Sequence, residues 1–145
     1  MEVIDLTYLN SVSDGNEELI KSLVEIFKGQ LDEFKEEFNR LYEVEDWRAV
    51  SALAHKAKSS IISMGMSDLA DAMKQLEMLC KYHCVTTQCV DSNVSEEFRR
   101  QIEMLPEPIK LWVYDNNSKK RIQDLIFFYI LQSEKAKKDL QELGF

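Results

Sequence analysis

The feature that most narrows the fold is a stretch from residue 16 to about 45 in which apolar side chains recur every three or four positions. Leu19, Leu23, Ile26, Phe27, Leu31, Phe34, Phe38, Leu41 and Tyr42 share one face, interrupted at Gln30. At 3.6 residues per turn the pattern persists for roughly seven turns, which a strand cannot reproduce and an amphipathic helix must. Asn16 is placed to cap it, with Glu17 and Glu18 suited to the positive end of the helix dipole.

Similar patterns divide the rest of the chain. Asp5 to Val12 is a short helix candidate, followed by a turn at Ser13-Asp14-Gly15-Asn16. Asp46 can cap a second long helix whose stripe is Val50, Leu53, Ala54, Ala57, Ile61 and Met64, and Gly65 stands where a left-handed residue commonly ends a helix. Ser67 and Asp68 open a third, carrying Leu69, Ala72, Met73, Leu76, Leu79 and Cys80. The turn between them is so short that the two must be antiparallel neighbours.

Between Val85 and Ser118 the periodicity weakens. Ser95-Glu96-Glu97 is placed to open a short helix through Leu105, ended by Pro106 and Pro108. Leu111-Trp112-Val113-Tyr114 reads as packed but of undecided state, and Asp115-Asn116-Asn117-Ser118 as a turn. A last helix, about 119–143, carries Ile122, Leu125, Ile126, Tyr129, Ile130 and Leu140, with Gly144 as its stop. The expectation is an all-α single domain spanning 1–145: an antiparallel four-helix bundle with a short N-terminal helix and an irregular or helical insertion before the last helix. Only six Gly and Pro residues in the whole chain agree with that.

A net charge of −8 argues against nucleic acid, which demands a basic face. The longest apolar run, Leu125 to Leu131, is far too short to span a bilayer, and the acidic N-terminus is unlike a signal peptide, so a cytoplasmic location is expected. Cys80, Cys84 and Cys89 are an odd number and clustered, which favours reduced thiols over disulfides. Cys80, His83 and Cys84 have helical spacing for metal ligands, but no second pair at zinc-finger spacing accompanies them, so no metal is expected.

His55 lies within Ala54-His55-Lys56-Ala57-Lys58-Ser59-Ser60-Ile61-Ile62-Ser63-Met64-Gly65. On a helical wheel it points about 150° from the centre of the core stripe. Lys58 falls about 60° to one side, Ser59 about 40° to the other, and Ile62 within about 20°. The face therefore combines an imidazole, an ammonium, a small residue and an apolar side chain turned away from the core. Geometry alone leaves this an exposed histidine on a helix.

The same string resembles the signature of the histidine-containing phosphotransfer (HPt) family: a histidine, a lysine three places on, small residues, then a glycine ten places after the histidine. Here these are His55, Lys58, Ser59, Ser60 and Gly65. Asp46-Trp47, Leu69, Leu76-Glu77 and the stretch from Tyr8-Leu9 through Ile26-Phe27 also look like family positions, so the resemblance covers about residues 5 to 82. The motif itself lies in 46–82, and 85–118 matches nothing nameable. One departure is Ser59, where the family most often has glycine.

The resemblance implies a phosphocarrier without kinase activity of its own. It would accept a phosphoryl group on His55 from a receiver-domain aspartate and pass it to another receiver. The expected partners are receiver domains of response regulators or hybrid histidine kinases. It implies no cofactor on this chain, with Mg²⁺ held by the receiver. Lys58 can hold a phosphoryl oxygen. Glu77, twelve residues beyond Gly65, stands level with His55 across the expected hairpin; the family position often bonds the inner imidazole nitrogen, and the alternative is an ordinary surface glutamate. Ser51, Ser59 and Gly65, all small, with Ile62 as an apolar anchor, are the expected partner-binding residues. The competing function is a non-phosphorylated helical adaptor that binds receivers or other signalling proteins through the same face.

Overall fold

The computed structural model describes residues 3–87 and 90–145, and among them there are seven helices and no strand. α1 spans Thr7–Val12, α2 Glu17–Glu43, α3 Trp47–Ser63 and α4 Ser67–Thr87; α5 is Ser92–Glu103, α6 Glu107–Asn116 and α7 Lys119–Glu142. The starts follow the local chemistry. Asn16, Asp46, Asp91 and Ser118 each accept a hydrogen bond from the backbone N–H three residues on.

α2, α3, α4 and α7 form the four-helix bundle, with α5 and α6 packed on α4. α2 and α7 run antiparallel, as three ties along their length demonstrate: Lys119 Nζ to Glu45 Oε1 at 2.6 Å, the Tyr129 hydroxyl to the Leu31 carbonyl at 2.9 Å, and Lys28 Nζ to the Phe145 carbonyl at 2.8 Å. Tyr129 is fully buried, edge-on to Phe38 at 5.1 Å between ring centroids, and burial holds its hydroxyl well above the usual ionisation range. The N-terminal segment is sewn across one end of the bundle, through Val3 N–H to the Asp139 carboxylate at 2.5 Å and Asp5 N–H to the Met64 carbonyl at 3.0 Å.

The α3–α4 hairpin matches its expectation closely. The Gly65 N–H bonds the Ile62 carbonyl and the Met66 N–H the Ile61 carbonyl, with Gly65 at φ +74°, the two-bond helix stop that only glycine adopts cheaply.

Three expectations need correction. In α2 the buried stripe opens with Ile20 and Val24, whereas Leu19 and Ile26 are exposed; two apolar stripes lie one residue apart at this end of α2, and the fold buries the other one. α5 starts at Ser92, capped by Asp91, three residues before Ser95. Residues 111–114 belong to α6, where Pro106 is the N-cap and Pro108 stands in the first turn, and Asp115 and Asn116 extend that helix into the expected turn.

Candidate functional site

The site is built on the facing sides of α3 and α4. His55 projects from the middle of α3 with its side chain 66% exposed, while its Nδ1 lies 3.0 Å from Oε1 of Glu77, which is only 7% exposed. The hairpin register brings them level. An ionised carboxylate can only accept a hydrogen bond, so a neutral imidazole held at this distance carries its proton on Nδ1 and leaves the Nε2 lone pair at the other edge of an exposed ring. A buried carboxylate that fixes a tautomer in this way is how a histidine is prepared to act as a nucleophile.

Glu77 is therefore not a surface glutamate. Its Oε1 also accepts from Lys81 Nζ at 3.2 Å, one turn further along α4. Lys58, half-buried one turn beyond His55, has no ion pair or hydrogen bond among the described residues and is free to meet an anion. Lys56 is drawn aside over the Phe34 ring, 5.9 Å from its centroid. Ser59 and Ile62 are exposed on the same face, Ile62 to 54%.

Two expected partner-binding residues are placed otherwise. Ser51 is buried, and its hydroxyl donates to the Glu77 backbone carbonyl at 3.1 Å. It lies on the α4 side of the His55 face, so its small size serves the close approach of α3 to α4 rather than a partner. Gly65 is exposed, but the space a side chain would need there is taken by the chain itself. A Cβ on Gly65 would stand 2.5 Å from both the Cβ and the carbonyl oxygen of Asp5.

Cys80 and Cys84 are buried, and His83 turns Nδ1 to the Asn117 carbonyl at 3.0 Å and sets its ring against Trp47. Cys89 lies outside the described residues. Among the described residues no group of His, Cys, Asp and Glu is arranged to hold a metal ion, and no helix is long and apolar enough to cross a membrane.

A family model for the Hpt domain matches residues 22–107, more than half of the chain. The chain belongs to the HPt family. Comparison with curated proteins and with solved structures returned no significant match. Histidine phosphotransfer within two-component phosphorelays is thus its general function, and receiver domains are the class of protein that HPt domains engage. The HPt match extends through α5, beyond the region the motif alone suggested.

Sequence reasoning missed two features that adjoin these residues. One is Lys81, although its spacing four residues after Glu77 is the ordinary helical ion-pair signal. The other is a groove lined by Tyr8, Val12, Leu23, Ile26, Ser60 and Ser63, which continues the exposed side of α3 onto α1 and α2. Tyr8, Val12 and Ile26 are all more than half exposed, an unusual concentration of bare apolar surface.

Proposed function

We propose that this chain is a phosphocarrier that accepts a phosphoryl group on His55 Nε2 from a receiver aspartate and returns it to the aspartate of another receiver. The observation that carries the reading is the Nδ1–Glu77 bond on an otherwise exposed ring. Nε2 attacks phosphorus, the N–P bond forms as the P–O bond of the aspartyl phosphate breaks, and the carboxylate leaves on the receiver. No proton need be removed from Nε2 first, because the tautomer already leaves it bare. Lys58 supplies a charge-assisted bond to a phosphoryl oxygen as it passes. In this reading Mg²⁺ sits on the receiver. Ser59 gives room for close approach, and Ile62 with the Tyr8–Val12–Ile26 groove supplies the apolar contact.

The experiment is transfer from a labelled phospho-receiver to the chain, beside an incubation with ATP alone. Label should move from the receiver, and ATP alone should give none. Receiver binding without transfer would favour the adaptor. Lys58→Ala is expected to slow transfer about 10- to 100-fold, the equivalent of a lost charge-assisted bond of about 1.5–3 kcal/mol in the transition state. Its melting temperature should stay near that of the wild type, since Lys58 has no ion pair or hydrogen bond among the described residues. An unchanged rate would return Lys58 to ordinary surface charge.

A further inference from the structure

Glu77 poses a problem that His55 does not solve. A buried carboxylate requires a compensating charge, and a neutral imidazole N–H supplies none. The cation is Lys81, itself only 14% exposed. Its ammonium is fixed from three sides: Glu77 Oε1 at 3.2 Å, Gln101 Oε1 at 2.7 Å, and the Phe98 ring at 5.6 Å from the centroid. Gln101 is in turn oriented, because its Nε2 donates to Glu97 Oε1 at 3.0 Å, which turns the amide oxygen toward Lys81. Arg100 holds the same Glu97 carboxylate. A continuous chain of polar contacts therefore runs from α5, through Lys81 and Glu77, to His55 Nδ1.

Resting on the phosphocarrier reading, we infer that Lys81 is a positioning residue for His55, and that α5 belongs to the phosphotransfer site through Phe98 and Gln101. The chemical reason is the direction of one hydrogen bond. Paired with an ammonium, the Glu77 carboxylate is purely an acceptor, and His55 must place its proton on Nδ1. Without Lys81 the buried carboxylate either takes up a proton, becoming a donor to Nδ1, or swings away toward water. The first reverses the tautomer and puts hydrogen on the nitrogen that has to attack. The second releases the ring to rotate and to exchange between tautomers. Either way Nε2 loses its standing lone pair. The restraint from α5 matters because a lysine has four flexible methylenes, and Gln101 and Phe98 are what keep its head on Glu77.

The test separates orientation from stability. In ¹⁵N-labelled wild type the ring nitrogens of His55 should report the Nδ1–H form. In Lys81→Met they should move toward the Nε2–H form or an average of the two, and transfer from a phospho-receiver should fall at least tenfold. Lys81→Arg should restore both. Gln101→Leu, a milder change on a half-buried position, should move the ring spectrum the same way with a several-fold slower rate. A folded Lys81→Met chain with the wild-type ring spectrum and rate would overturn the role of Lys81. Should that variant melt too low to assay, an unchanged ring spectrum in Gln101→Leu overturns the proposal instead. Failure of the phosphocarrier reading itself shows differently, as a wild-type chain that takes no label.

Discussion

Ile62→Asp is expected to abolish phosphotransfer and weaken receiver binding by about 30-fold or more, the signature of losing a central contact worth at least about 2 kcal/mol. Two effects combine. The apolar anchor beside His55 disappears, and the proposed docking would bury an unpaired negative charge in its place. The fold should tolerate it, because Ile62 is 54% exposed and lies outside the buried core cluster. One structural cost remains: the residue stands next to the end of α3 at Ser63, where an anion opposes the helix dipole by about 0.3–1 kcal/mol. The checks are receiver affinity and melting temperature on the same sample. Normal binding by a folded variant would move the docking face elsewhere, onto the α1–α2 groove alone.

Phe38→Ala tests the bundle rather than the site, and its effect on stability should be large. Phe38 is completely buried in α2 and meets the Tyr129 ring of α7 edge-on. Truncation removes that contact and leaves a cavity between the two helices, which typically costs about 3–5 kcal/mol. For a domain of this size each kcal/mol shifts the midpoint by about 2–4 °C, so a fall of roughly 6–20 °C is expected in thermal denaturation. A loss below about 1 kcal/mol would mean that α2 and α7 do not pack as described. Below its lowered midpoint the variant should transfer phosphoryl groups at the wild-type rate, because the Phe38–Tyr129 pair lies between α2 and α7, whereas His55 and Glu77 stand on α3 and α4.

These two residues mark the range of what was legible in the sequence. Phe38 and its neighbours stand in an unbroken pattern, and such patterns set the bounds of α2, α3 and α7 to within about two residues, whereas α4 runs on to Thr87, into the stretch where the periodicity weakens. At the start of α2 two stripes competed, Leu19–Ile26 and Ile20–Val24, and only the arrangement of α1 and α3 around that end decides between them. In α5 both Asp91 and Ser95 are competent caps, and packing on α4 selects the earlier. Pro106 and Pro108 looked like terminators, yet proline ends one helix and begins the next equally well. At the site, the level of Glu77 with His55 followed from counting along the hairpin, because a short turn leaves the register no freedom. Ser51 failed because a wheel gives direction around one helix and not the position of its neighbour. Gly65 was read as open space, whereas Asp5, sixty positions earlier, fills it. The link from Gln101 to Lys81 joins helices whose pairing depends on the whole insertion, and no local pattern encodes it.

The central claim is that His55 carries the phosphoryl group, and the most direct measurement is the fate of label on two chains. Wild type and His55→Gln are mixed with the same labelled phospho-receiver, separated from it, and held in acid and in alkali. Glutamine preserves the size and hydrogen-bonding capacity of the side chain at an exposed position, so both chains should melt alike. The wild type should acquire label that is lost in acid and kept in alkali, as a phosphorus–nitrogen bond requires, and His55→Gln should acquire none. Label that persists on His55→Gln, or label on the wild type that survives acid, would contradict it.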